Sequence, residues 1–172
     1  MPTATFEALG TVTITGSSTV IVQFTPVNDT TYKNFIVFGC VMMDSNSEQL
    51  CMRVGNSSPN TYKYQNAYAG NGSNGTGVPT TGINNDNQFA LTQYNINTNT
   101  YPTVFKITYS TNGNTSTQFI SEAGLWVNAA GVANFNITNG RFNEGLYNVI
   151  QLRGYSGGAF KAGSVFSLYG LI

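Results

Sequence analysis

The sequence predicts an all-β fold, an antiparallel β-sandwich of the jelly-roll type with about ten short strands. Three observations carry this. Asn, Thr, Ser and Gly abound beside β-branched and aromatic residues, which is the composition of strands joined by tight turns. Apolar residues recur with period two, and no stretch shows the helical period. Turn signals interrupt the apolar segments at short intervals, as in sandwiches and barrels. A jelly roll is the preferred version, because it places eight or more antiparallel strands in two sheets with long loops. The 172 residues fit a single domain, 1–172, and no repeat suggests a propeller or solenoid.

The first strands fall in residues 6–15 and 18–25. Val12 and Ile14 alternate with threonines, Val20, Val22 and Phe24 share one side of "TVIVQFT", and "TGSS" between them predicts a hairpin. "NFIVFGCVMM" is nearly continuously apolar, and the polar "DSNS" separates it from "EQLCMRVG". If Asp44–Ser47 form a four-residue hairpin loop, Met43 faces Glu48 and Cys40 faces Cys51. Opposed residues lie about 4.5–5.5 Å apart, within disulfide range. Free thiols are nevertheless the favoured reading, since cysteine is commonly buried and a reducing cytoplasm keeps it reduced.

Residues 60–68 place Tyr62, Tyr64 and Tyr68 at alternate positions, and 69–87 form a long Gly/Asn loop of a length that in compact domains is commonly functional. Strand signals resume in "QFALTQYNI", "TVFKITYS" and "STQFISEAGLW". The last two flank "TNGN", whose Asn-Gly is the strongest short hairpin signal. "ANFNIT", "LYNVIQLRGY" and "SVFSLYGLI" complete the set.

Composition narrows the function classes. Charged residues are 8% of the chain, against about 25% in ordinary domains. Seven basic residues balance seven acidic ones, so no basic stripe exists for nucleic acid and no polybasic patch for a membrane surface. Weak charge repulsion favours self-association. The opening "MPTATFEALG" lacks the features of a secretory signal, which leads us to expect a product of the cytoplasm. Histidine is absent from the sequence, which removes the commonest general base and metal ligand. Two cysteines are too few for a zinc site. Most of the seven carboxylates fall in apparent turns, and Glu122, mid-strand in "ISEAGLW", reads either as a buried acid or, equally well, as an outward-facing strand position. "DSNSE" lacks the glycine and distal glutamate of a calcium loop, and reads as a polar turn. We therefore expect no enzyme activity, no metal and no cofactor.

The last strand is the most informative. Val165, Ser167, Tyr169 and Leu171 share one side, and Phe166, Leu168 and Ile172 the other, so both sides are substantially apolar. A strand with one wet side alternates apolar and polar residues, so this one needs cover on both sides. "NFIVFGCVMM" and, less strongly, "LYNVIQL" behave alike. The expectation is a closed homo-oligomer, a trimer favoured, with Val165, Phe166, Leu168, Tyr169 and Leu171 near the interface.

"FNEGLYNVIQLRGYSGGAFKAGSVFSLYGLI" resembles the C-terminal region of small jelly-roll proteins of tailed bacteriophages, in which a late "GS" followed by "LYG" closes the chain. "LGTVTITGSSTVIVQF" with "TYKNFIVFG" is similar to the early strands of the same group. The resemblance covers about half the chain and implies a virion component assembled in the host cytoplasm. One version is a capsid decoration or cement protein that oligomerises on the major capsid protein or other virion proteins and stabilises the shell. The alternative is a tail or fibre-tip module that recognises host glycans, with Tyr62, Tyr64, Tyr68 and Trp126 offering rings for sugars to stack on.

Overall fold

The computed structural model describes residues 6–16, 18–25, 31–44, 48–54, 62–70, 88–92, 102–111, 117–126, 133–142 and 149–171. Among them are eleven strands: β1 (Phe6–Thr13), β2 (Ile21–Phe24), β3 (Asn34–Val41), β4 (Leu50–Val54), β5 (Tyr62–Gly70), β6 (Phe89–Ala90), β7 (Thr103–Thr111), β8 (Thr117–Trp126), β9 (Ala133–Phe142), β10 (Ile150–Gly154) and β11 (Val165–Leu171). They form two antiparallel sheets, a large one in the order β1-β11-β3-β7-β8-β9-β5 and a small one in the order β2-β10-β4-β6.

The pairings are nested. β1 pairs with β11, β2 with β10, β3 with β7, and β4 with β6, so the chain behaves as one long hairpin wound across two layers. β8 and β9 extend the large sheet as a meander beyond β7, and β5 closes its far edge. β7 and β8 pair antiparallel as expected, with Thr111 opposite Thr117, and the Asn-Gly turn itself lies outside the described residues.

Two expected pairings are overturned. Residues 6–15 and 18–25 do not form a hairpin: β1 lies in the large sheet on β11, and β2 in the small sheet on β10. β3 and β4 likewise lie in different sheets and do not pair. Cys40 therefore sits between Val165 and Val104, and Cys51 between Arg153 and Ala90, and no disulfide joins them. Alternation encodes which side of a strand is apolar, but not which strand lies beside it.

These crossings share one hydrogen-bonded corner. Residues 160–164 thread between the β1–β2 and β3–β4 connections, with Phe160 N–H donating to Thr19 O (2.8 Å), Lys161 N–H to Met42 O (2.9 Å) and Ile14 N–H to Ser164 O (2.8 Å). Gly163, at φ 90°, makes the turn that aims β11 back into the large sheet, a backbone angle L-residues rarely adopt.

The core lies between the sheets. Phe35, Val37, Phe105, Ile107, Phe119, Phe166 and Leu168 come from the large sheet and meet Val22, Phe24, Leu50, Met52, Phe89, Ile150 and Leu152 from the small one. Aromatic contacts bind the layers: Phe89 lies 3.7 Å from Phe119 between ring centroids, and Phe160 packs edge-on against Phe166 at 4.9 Å. Asn136 on β9 adds a polar strut, donating from Nδ2 to Leu91 O (2.6 Å) and to Thr138 Oγ1 (2.9 Å).

Candidate functional site: the outer face of the large sheet

Pairing register assigns each side chain of the large sheet to the core or to the outside. Four rows cross its outer face. The first runs Thr13, Val165, Cys40, Val104, Gly124, Phe135, and the second Thr11, Ser167, Phe38, Lys106, Glu122, Ile137. The third runs Ala8, Tyr169, Ile36, Thr108, Ile120, Asn139, and the fourth Phe6, Leu171, Asn34, Ser110, Gln118, Arg141.

Apolar residues dominate the first and third rows, and the second sets Phe38 and Ile137 among Thr11, Ser167, Lys106 and Glu122. Phe38, Val104, Ile120, Phe135 and Ile137 keep 40–58% of their surface exposed, and Ile36, Val165, Tyr169 and Leu171 are half-buried beside them. Phe38 packs edge-on against Tyr169, 5.8 Å between centroids, so part of the face is already preorganised by aromatic contact. Three pairs of its polar groups bond to each other. Lys106 Nζ lies 2.9 Å from a Glu122 carboxylate oxygen, Ser110 Oγ donates to Asn34 Oδ1 (2.5 Å), and the hydroxyls of Thr11 and Ser167 share a 3.0 Å hydrogen bond. A shallow depression of about 190 Å³ lies near β7, β8 and β9 between Thr108, Ser110, Gln118, Ile120 and Asn139.

The small sheet presents a different outside. Gln23, Gln151 and Arg53 stand in one row, with Gln151 Nε2 donating to Gln23 Oε1 (2.9 Å), and Arg153 is half-buried in the next. Ile21 is its exposed apolar member. One sheet thus has the wet exterior normal for an antiparallel layer, and the other does not.

The expected interface residues divide between the two sides of β11. Phe166 and Leu168 belong to the core, so no partner can reach them, while Val165, Tyr169 and Leu171 lie on the outer face. β11 is an interior strand, held by β1 and β3. Glu122 is on the same outer face, paired with Lys106 as described. The backbones of Tyr62, Tyr64 and Tyr68 pair with Phe142, Gly140 and Asn136, and that of Trp126 with Ala133. The side chains of these four residues, and the loop 71–87, lie outside the described residues.

Asp44 and Glu48, read from the sequence as acids of a polar turn, have a structural role instead. Glu48 is 4% exposed and accepts from Ser156 N–H (2.9 Å) and Gly158 N–H (3.2 Å), while Asp44 Oδ1 accepts from Ala159 N–H (2.9 Å). Together they bind the 155–159 turn that leads into the corner and β11. Their partners lie more than a hundred residues away in the chain, so no local pattern marks them. Tyr32, packed over Gly170, donates its hydroxyl to Glu7, and that hydrogen bond, followed by burial and the carboxylate's charge, raises the phenol above its ordinary range.

No family model matches this chain, and neither a curated protein nor a solved structure shows significant similarity to it.

Proposed function

We propose that this chain is a non-enzymatic structural component of a virion, a capsid decoration or cement protein that oligomerises and reinforces a phage shell. One observation carries the reading: Phe38, Val104, Ile120, Phe135 and Ile137 stand exposed across three rows of the outer face of the large sheet, where a free-standing antiparallel sheet would carry mainly polar residues. A protein whose work is to be covered by neighbours has a use for such a surface. The nested pairings of β1–β11, β2–β10, β3–β7 and β4–β6 support the jelly-roll version of the sandwich. The low and balanced charge fits a chain packed at high local concentration.

Quantitative mass spectrometry of purified particles tests this directly. Hundreds of copies per particle are expected, together with weaker shells when the chain is omitted. A handful of copies would move it to the tail, and absence from particles would overturn the proposal.

A further inference from the structure

Three features compete for a role beyond this. The buried polar groups at Ser121 and Asn136 have one unpartnered oxygen each, but nothing else among the described residues points to a ligand there. The depression beside Ile120 is open and shallow. The outer face of the large sheet carries more, because its size, charge and chemistry specify an occupant.

We infer that a second copy of this chain seats on that face, with the Lys106–Glu122 pair inside the contact. This rests on the structural reading above and sharpens it by naming the surface. Six strands from β1 to β9 span about 29 Å at ordinary strand spacing, and eight residues extend about 26 Å, which gives roughly 750 Å² per copy. Stable protein contacts bury about 800 Å² per partner, so full cover of this one face is enough without recruiting another.

Charge favours a like partner. Lys106 and Glu122 neutralise each other within one copy, and Arg141 stands in the row at the margin. Two such faces meet without opposing like charges across their centres, and neither ion is left alone when water is excluded, which is the arrangement that avoids the heavy cost of a buried unpaired charge. A basic or acidic partner would find no complementary field. The apolar rows need only apolar side chains opposite, and this chain presents them.

Cys40 makes the inference measurable. It is exposed in the first row between Val165 and Val104, whereas Cys51, the only other cysteine, is buried. Thiol labelling of the folded chain therefore reports on this face alone. The experiment follows the solution mass of the full chain by sedimentation over a wide concentration range, with the rate of Cys40 labelling by a disulfide reagent measured on the same samples. The expected result is a mass above the monomer at high concentration, with labelling slowed about tenfold or more as mass action depletes the open form. Phe38→Glu and Val104→Lys, both on exposed side chains, should each yield a folded monomer with fast labelling. Gln23→Lys on the small sheet should leave association intact.

A chain that stays monomeric with a fast thiol at every concentration overturns the inference. So does an oligomer whose Cys40 labels as fast as in the monomeric variants, or one that ignores both substitutions. The virion reading fails separately: a monomer found in hundreds of copies per particle sinks the self-contact alone, whereas a self-associating chain absent from particles sinks the virion assignment alone.

Discussion

Replacing Glu48 by glutamine should destabilise the protein by about 2 kcal/mol, although the change removes only a charge. The carboxylate uses both oxygens on backbone N–H groups, Ser156 at 2.9 Å and Gly158 at 3.2 Å. Hydrogen bonds to charged groups are each worth about 1.5–3 kcal/mol. Glutamine keeps one acceptor at neutral strength and turns a donor toward the other N–H, so one bond weakens and the other is lost. The two N–H groups lie at the surface of the turn and regain water in part, which holds the total near the lower end of that range. For a chain of this length the corresponding fall in Tm is about 4–8 °C. Urea titration should show a lower midpoint at unchanged slope, and the Ser156 and Gly158 amides should exchange faster. A midpoint within experimental error of the parent, with those amides still protected, would refute the claim that this carboxylate holds the turn.

Three further outcomes follow from the same packing. A Cβ added at Gly39 would lie 2.2 Å from the Phe105 ring, so Gly39→Ala should cost about 1–3 kcal/mol by overpacking, and the double variant with Phe105→Leu should show a favourable coupling in a double-mutant cycle; strict additivity would argue against the contact. Ser121 is fully buried with its hydroxyl unpartnered, so Ser121→Ala should be neutral or stabilise by up to about 1 kcal/mol in chemical denaturation, and a clear loss would reveal a partner for Oγ. Because the folded-state pKa of Tyr32 is raised, its contribution is complete below the unfolded value of about 10 and is lost as pH rises through the higher folded value; Tyr32→Phe should flatten the alkaline fall in stability, and identical pH profiles would contradict the hydrogen bond to Glu7.

Strands were legible in the sequence wherever alternation was strong, as in "TVFKITYS" and "SVFSLYGLI", because one-sided burial imposes period two on the side chains. The double-sided character of β3 and β11 was legible for the same reason, and it led to the outer face. Partners were not. "TGSS" has the composition of a hairpin turn, yet it carries the chain between layers, and only the tertiary corner with residues 160–164 distinguishes the two outcomes. Alternation also left open which side of β11 meets the core: Phe166 and Leu168 were as good candidates for the surface as Val165 and Tyr169 until the small sheet supplied their cover. Glu48 was illegible because an acid beside a polar turn has the same local sequence whether it is solvated or clamped to a distant backbone.

The nested strand order sets a timetable for the chain. Thr111 and Thr117 are six residues apart, whereas Phe6 and Leu171, at the end of the outermost pair, are about 165 apart, a difference of about 3 kcal/mol in closure entropy. Local pairs such as β7–β8 form first, and each nested pair that closes shortens the gap for the one outside it, so β1–β11 should form last. Pulse-labelled hydrogen exchange should find β8 amides protected before those of β11, and the reverse sequence would contradict this. Since β11 lies between β1 and β3, β1 can join the large sheet only after β11 has docked on β3, so that margin of the outer face is assembled late.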